Sequence, residues 1–350
     1  MTNTRIIYIL ILGLIAPTGH AENIPDGKEL LEALGTSSSD IAKLESGSVV
    51  QFNGAKYEMS SRELATDATV LIKRKIPVVL SQLEESDSIV PSRKILASGK
   101  LSGDGDFSGI FYEDSEKDNA EVTKLINAKP GSDFNFSKEE WDWVQQHLSG
   151  AGKQDAAKQR QLASEAMQHI MQQRYLAYRD KGLEGISPVL RKRGKELDVS
   201  EDFRKTNATH QPTEVWFPEY YKVLTSYPEG QDCCTHTFRW LKVKIAKRPT
   251  FALTHSIIQE GDDYLLYTER FYYLDNAGNY GQVVLAWLPY ADDTYMGLAM
   301  SANTEVLDSL LGKMLRSLGR NMAGDLVGDV LEDIKTDLEA GETPDGNPES

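Results

Sequence analysis

Two adjacent cysteines and a nearby histidine are the residues whose types and spacing most clearly suggest chemistry. Cys233 and Cys234 are the only cysteines in the chain, and His236 follows two residues later. Consecutive α-carbons lie about 3.8 Å apart, whereas disulfides usually join α-carbons roughly 4.4–6.8 Å apart, so a vicinal disulfide would be strained and easily reduced. Two ordinary thiols, a vicinal disulfide and a Cys-Cys-x-His metal site all stay open, although zinc usually takes four ligands at established spacings. We expect no metal.

A second chemical candidate is a histidine and a glutamate on neighbouring strand-like runs. His255 lies in the run Thr250–Gln259, and Glu269 lies in the run Tyr264–Leu274. If the two side chains meet on one face of a sheet, they would form a general acid–base pair. Alternatively, His255 is a hydrogen-bonded core residue. Glu269 would then need a partner if it is buried, and Arg239 is a suitable one.

Apolar side chains at alternate positions of these runs predict strand faces that could line a cavity. Side chains two residues apart point to the same face of a strand, and methionines adapt to flexible apolar guests. In the long helix near the end of the chain, a glycine costs up to about 1 kcal/mol relative to alanine, which is tolerable where a ligand or the sheet approaches closely. An ordinary core is the alternative. The predicted lining residues are Phe251, Leu253, His255, Tyr267, Phe271, Met296, Leu298, Met300 and Gly324.

Composition and the absence of known motifs narrow the function further. The 350 residues carry a net charge of −15, which argues against a nucleic-acid partner, and 40% are hydrophobic, which excludes a disordered chain. The sequence contains no Gly-x-Ser-x-Gly elbow, no His-Glu-x-x-His, no phosphate loop and no dinucleotide fingerprint. We therefore expect no cofactor, and an enzyme of a common hydrolase or nucleotide-binding class is disfavoured.

The amino-terminal segment is typical of a secretory signal peptide. Arg5 precedes the apolar run Ile6–Ala16, and Gly19 and Ala21 supply small residues at the −3 and −1 positions of a cleavage site. The run has about eleven residues, whereas a membrane-spanning helix needs roughly 20. We expect cleavage after Ala21 and a soluble periplasmic or secreted protein, with an uncleaved anchor as the alternative.

Hydrophobic periodicity predicts an α+β fold. In the last third, five strand-like runs are joined by short polar links, and such links favour antiparallel neighbours because a parallel crossover needs about a dozen residues. A long helix follows, with apolar residues at steps of four from Val306 to Leu338, and the segment 113–232 is mainly helical. The predicted strands are Leu64–Arg74, Lys94–Leu101, Phe107–Tyr112, Thr235–Ala246, Thr250–Gln259, Tyr264–Leu274, Tyr280–Pro289 and Thr294–Ser301.

This order of elements resembles the START-like superfamily, also called the helix-grip, polyketide cyclase or lipid-transfer superfamily. The resemblance covers roughly Tyr57–Tyr112 and Thr235–Leu338, and the helical segment Glu113–Asp232 would be an unusually large insertion. It rests on element order, and no catalytic residue is carried over. It implies a curved antiparallel sheet closed by the long C-terminal helix, with an apolar cavity between them that binds lipids, sterols or other hydrophobic molecules.

These observations predict an exported binding or carrier protein for a hydrophobic, lipid-like ligand. An enzyme that uses His255 and Glu269 in the same cavity is one alternative, and an envelope protein that docks a partner through its helical insertion is another. Residues 22–340 would form the domain, and the tail 341–350 would be disordered. Two basic clusters could contact anionic lipid head groups or could simply be solvated. They are Arg191, Lys192, Arg193 and Lys195, and Lys313, Arg316 and Arg320.

Overall fold

The computed structural model describes residues 24–52, 54–84, 95–209, 211–245, 247–308 and 310–341. The predicted signal peptide and almost all of the predicted tail therefore lie outside the described residues. The helices are α1 (Gly27–Ala33), α2 (Ser38–Glu45), α3 (Ile76–Glu84), α4 (Glu116–Asn127), α5 (Lys138–His147), α6 (Ala156–Lys181), α7 (Val199–Asn207), α8 (Gln211–Trp216), α9 (Pro218–Ser226) and α10 (Leu310–Ala340). The strands are β1 (Val50–Phe52), β2 (Glu63–Ile72), β3 (Ile95–Leu101), β4 (Val189–Arg191), β5 (Lys195–Leu197), β6 (Thr235–Ile245), β7 (Arg248–Gly261), β8 (Tyr264–Leu274), β9 (Tyr280–Tyr290) and β10 (Asp293–Asn303).

Eight of these strands form one large antiparallel sheet, in the order β1-β2-β10-β9-β8-β7-β6-β3. The α+β class, the antiparallel meander and the long C-terminal helix are confirmed. The sheet is open, with β1 and β3 at its edges, and the predicted closure by α10 is not found. Strands β4 and β5 form a separate small hairpin.

One face of the large sheet, which we call the α10 face, is covered by α3 and α10. Trp287 of β9 and Met296 of β10 are fully buried there, in one apolar cluster with Leu331 and Ile334 of α10. Alternate residues of the strands point to this face and to the opposite one, as the strand period of two requires. The sheet is therefore a layer between two helical layers.

The opposite face, which we call the insert face, is covered by α1 and by the helices α4 to α9. Large side chains from the strands, such as Leu253, Tyr272 and Tyr280, share one continuous apolar cluster with Tyr178 of α6 and Phe203 of α7. The predicted helical insertion therefore packs directly on the sheet. Among the described residues, no helix combines the length and apolar character needed to cross a bilayer.

Helix α6 brings its carboxyl end to the middle of the insert face. Asp155 caps its amino end by accepting a hydrogen bond from the amide of Lys158. Gly182 ends the helix with a φ of +58°, and a β-carbon there would collide with the carbonyl of Tyr227. This close approach places Tyr178, one turn before the end of α6, beside Tyr227.

One predicted strand is wrong. The segment Phe107–Tyr112 is irregular, because its backbone groups bond to side chains of α6 and not to a neighbouring strand. The amide of Tyr112 donates to the hydroxyl of Ser164, and the side-chain amide of Gln168 donates to the carbonyl of Ile110. Helix α6 therefore supplies partners for two of the backbone groups that a strand would pair.

Candidate functional site

The predicted acid–base pair does not form. The register between β7 and β8 places His255 opposite Arg270 and Ser256 opposite Glu269. The side chains of His255 and Glu269 therefore point to opposite faces of the sheet. Glu269 lies on the α10 side, where it accepts hydrogen bonds from the hydroxyls of Ser256 and Tyr267.

The predicted cavity-lining residues are divided between the two faces. Phe251, Leu253 and His255 lie on the insert face. Phe271 belongs to a small separate cluster around Leu241 and Val243. The remaining predicted residues lie on the α10 face and are Tyr267, Met296, Leu298, Met300 and Gly324.

The glycines of α10 allow helix and sheet to approach closely. A β-carbon at Gly324 would lie 2.9 Å from Oε1 of Gln51, and one at Gly328 would lie 2.8 Å from Nε2 of the same side chain. A β-carbon at Gly319 would contact Leu64 at 3.3 Å. Each of these glycines therefore faces protein atoms of β1 or β2, which leaves no room for a guest at these three positions.

A chain of hydrogen bonds crosses the insert face at His255. The hydroxyl of Tyr178 lies 3.0 Å from Nδ1 of His255, and Nε2 of His255 lies 2.8 Å from Nδ1 of His236. Nε2 of His236 lies 2.9 Å from the carbonyl oxygen of Gln231. A carbonyl can only accept, so His236 donates to Gln231, His255 donates to His236, and Tyr178 donates to His255.

The inner end of this chain is a fully buried cation. Arg270 donates to the hydroxyl oxygen of Tyr178 at 3.0 Å, to the carbonyl of Leu224 at 2.7 Å and to the side-chain oxygen of Gln282 at 3.1 Å. Among the described residues, no carboxylate lies within ion-pair distance of its guanidinium. Three neutral acceptors and the ring of Phe203, whose centroid lies 5.4 Å from the guanidinium carbon, therefore compensate for the burial of this charge. Removing such a partner is costly.

Burial keeps His236 and His255, the two histidines of this chain of hydrogen bonds, neutral. Desolvation, reinforced by the nearby charge of Arg270 and by His236, holds the pKa of His255 well below its usual value. Desolvation also lowers the pKa of His236, although its bond to Gln231 opposes the shift. The tautomers derived above therefore persist at neutral pH.

The outer end of this chain of hydrogen bonds lies at the turn that contains the two cysteines. Cys233 and Cys234 are joined in a vicinal disulfide and are partly exposed. The Gln231 carbonyl that binds His236 also accepts the amide of Cys234 at 3.2 Å. Within the described part of the chain, no group of three or more His, Cys, Asp or Glu residues is arranged to hold a metal ion.

A cleft of about 190 Å³ opens on the insert face, above β2, β10 and β9. Small side chains form its floor, and although β9 and β10 are central strands, Ala286, Gly297 and Ala299 remain partly exposed. Large side chains cover the neighbouring parts of this face, so the cleft arises where the strands carry small ones. The walls come from α1, the turn after β1, and the α7–α8 region, with Leu30, Leu34, Phe52, Lys56, Tyr57, Thr206, Thr209, Pro212 and Thr213.

Asp67 of β2 is the unusual polar group of this cleft. Its carboxylate is half-buried, and no hydrogen bond or ion pair joins it to another of the described residues. Desolvation raises its pKa to about 6, and the positive charge of Lys56 opposes this shift only in part. By contrast, the buried Glu63 at the end of the cleft accepts from the hydroxyl of Thr206 at 2.7 Å.

The basic clusters are largely engaged within the fold. Arg316 and Arg320 both pair with Glu58, and Arg191 pairs with Glu305. Lys192, Arg193 and Lys195 remain exposed. Among the described side chains of the two clusters, Lys192, Arg193 and Lys195 therefore present positive surface.

No functional role was assigned to Asp67, Tyr178 or Arg270 from the sequence. Arg270 had one signal, because adjacent charged residues in a regular strand point to opposite faces, which brings one of them into the core. Asp67 had another, as a carboxylate in the middle of a predicted strand. In comparisons with known protein families, curated proteins and solved structures, nothing matches this chain.

Proposed function

We propose that the protein is an exported binding protein for a small, largely apolar ligand that carries one hydrogen-bond-donating group, an ammonium or a hydroxyl. The ligand would lie in the cleft on the insert face, with its donor at Asp67. The main support for this proposal is the Asp67 carboxylate. It is half-buried, has no partner among the described residues and faces a cleft with an apolar floor.

The physical basis is the incomplete compensation of this carboxylate. A partly desolvated charge without a hydrogen bond is destabilised, and a ligand donor would supply the missing bond. Charge-assisted hydrogen bonds contribute about 1.5–3 kcal/mol, more than neutral ones. Apolar contacts with Leu30, Leu34 and Phe52 would add to this energy.

The volume of the cleft sets the size of the ligand. At about 190 Å³ it is smaller than the roughly 300–1,000 Å³ typical of sites for drug-sized molecules. A whole membrane lipid does not fit, so the lipid-like ligand is narrowed to a small ring or short chain. We retain the START-like scaffold in this proposal, supported by the meander β6–β10 followed by α10, with the binding site moved to the other face of the sheet.

Ligand-observed NMR with three matched probes tests this proposal. Benzylamine, benzyl alcohol and benzoate share a ring and differ in the group offered to Asp67. We expect binding to decrease in that order, because the ammonium and the hydroxyl donate to the carboxylate whereas benzoate is repelled. Equal signals from all three probes, or the strongest from benzoate, would refute the role of Asp67.

A cleft-filling variant locates the site. Ala299→Leu places a larger side chain on the partly exposed floor and should reduce benzylamine binding, while the melting temperature changes little because the space is open. Ala157→Leu, on the exposed side of α6, is the matched control and should bind normally. Unchanged binding by Ala299→Leu would place the ligand elsewhere.

A further inference from the structure

The Cys233–Cys234 disulfide stabilises no loop. A crosslink acts mainly by restricting the unfolded chain, and the effect grows with the number of residues between the cysteines. Here no residue lies between them. Stability of the fold therefore does not account for the bond, and its surroundings point to chemistry.

The disulfide is accessible to an incoming thiolate. Both cysteines are partly exposed, in and just after the single turn Gln231–Cys233 that leads into β6. Thiol–disulfide exchange proceeds by attack of a thiolate on one sulfur and depends on such access.

A proton source lies at the same turn. The Gln231 carbonyl holds both the amide of Cys234 and the Nε2–H of His236. If His236 releases that proton, the chain behind it can replace it. The proton of His255 moves to Nδ1 of His236, and the proton of Tyr178 moves to Nδ1 of His255. Burial raises the pKa of Tyr178, and the adjacent guanidinium of Arg270 opposes this shift and stabilises the transient phenolate.

We propose that Cys233–Cys234 is a thiol–disulfide exchange site that accepts two electrons from a dithiol partner, with His236 as proton donor. One thiol of the partner loses its proton to water and attacks a sulfur of the disulfide. The S–S bond breaks, a mixed disulfide forms, and the leaving cysteine thiolate takes the proton of His236.

The second half of the exchange completes the balance. The second thiol of the partner loses its proton to water and attacks the mixed disulfide, which releases the oxidised partner. The second cysteine and the histidine chain then take up one proton each from water. The dithiol is oxidised to a disulfide, and the protein disulfide is reduced to two thiols.

Reduction of the folded protein by dithiothreitol tests this proposal, with maleimide trapping and intact mass as the measurement. We expect no label before reduction and two labels afterwards, with the circular dichroism spectrum unchanged. Two labels before reduction, or labelling only in denaturant, would overturn it.

A histidine variant tests the proton donor. His236→Asn should be reduced about a hundredfold more slowly than the wild type, in line with the loss of general acid catalysis. His147→Asn, on α5 and away from the chain, should be reduced at the wild-type rate. In denaturant all three proteins should react equally, which separates proton donation from altered cysteine reactivity. A wild-type rate for folded His236→Asn would contradict the role of His236.

Discussion

The side-chain amide of Gln51 donates a hydrogen bond to the backbone carbonyl of Gly324 at 2.9 Å. The bond joins the edge strand β1 to the middle of α10, at a helix position where no side chain intervenes. Gly324 is therefore part of a close helix–sheet contact. Substitutions at this contact should change the stability of the protein.

Substituting Gly324 by leucine should therefore destabilise the protein. Overpacking of a close contact typically costs about 1–3 kcal/mol, and the gain in helix propensity, less than about 1 kcal/mol, offsets it only in part. Urea unfolding measures the change in the free energy of unfolding. Asn321→Leu, on the exposed side of the same helix, serves as the control and should be nearly neutral. If Gly324→Leu is as stable as the wild type, the space beside the helix is larger than the structure shows.

Tyr178→Phe should destabilise the protein far more than Tyr272→Phe. The two rings stack with centroids 3.8 Å apart, so their apolar surroundings are closely matched. The hydroxyl of Tyr178 joins Arg270 to His255, whereas the buried hydroxyl of Tyr272 has no partner among the described residues.

Removing the hydroxyl of Tyr178 leaves two buried polar groups unsatisfied, which should lower the free energy of unfolding by about 1–3 kcal/mol each. Removing the hydroxyl of Tyr272 should leave the stability unchanged or increase it. Paired urea unfolding curves measure both effects. Equal losses for the two variants would show that the hydrogen-bonded chain contributes nothing to stability.

Burial of His255 should make stability fall under mildly acidic conditions. The folded-state pKa of His255 is depressed, so below the unfolded-state value near 6.5 the unfolded chain binds a proton that the folded protein does not. This contribution is present above pH 6.5 and is lost as the pH falls. The contribution of Asp67 to the pH dependence of stability has the opposite sign, because its raised pKa makes the folded protein bind a proton that the unfolded chain does not.

The His255→Gln variant isolates the histidine, since Asp67 titrates in both proteins. Between about pH 7.5 and 5.5, the wild type should lose about 1 kcal/mol more than the variant in the free energy of unfolding. Unfolding in urea at the two pH values provides the comparison. Parallel losses would mean that His255 is protonated in the folded protein.

Removing the helical insertion should expose apolar surface. Tyr178, Tyr220 and Phe203 belong to the continuous cluster that covers the insert face of the sheet. Deleting residues 118–227 should therefore cause aggregation, measured by size-exclusion chromatography. A soluble deletion variant that unfolds cooperatively would show that the insertion is an autonomous module.

Local patterns were sufficient to predict most strands, because each strand segment shows the alternation of side chains with a period of two residues. The partners of distant strands were not predictable in this way. Strand β2 pairs with β10 and β3 pairs with β6 at the far edge, and such long-range pairing leaves no trace in periodicity.

The failure of the His255–Glu269 pair has a different cause. Gly261 and Tyr264 face each other across a two-residue turn, and counting back from them brings His255 opposite Arg270. A one-residue change in such a register reverses the face of every side chain. The partial burial of Asp67 was not predictable, because it arises where α1, β1 and the α7–α8 region meet.

The affinity of benzylamine for the wild type and for Asp67→Asn tests the central claim most directly. Calorimetric titration near pH 7.5 should show binding that is about tenfold to a hundredfold weaker in Asp67→Asn, because a charge-assisted hydrogen bond is lost. Wild-type affinity should also fall as the pH drops through about 6, where Asp67 gains a proton, while the variant shows no such dependence. Asp142→Asn, an exposed substitution on α5, should behave as the wild type. Equal affinities for wild type and Asp67→Asn, or no binding to either, would contradict a ligand site at Asp67.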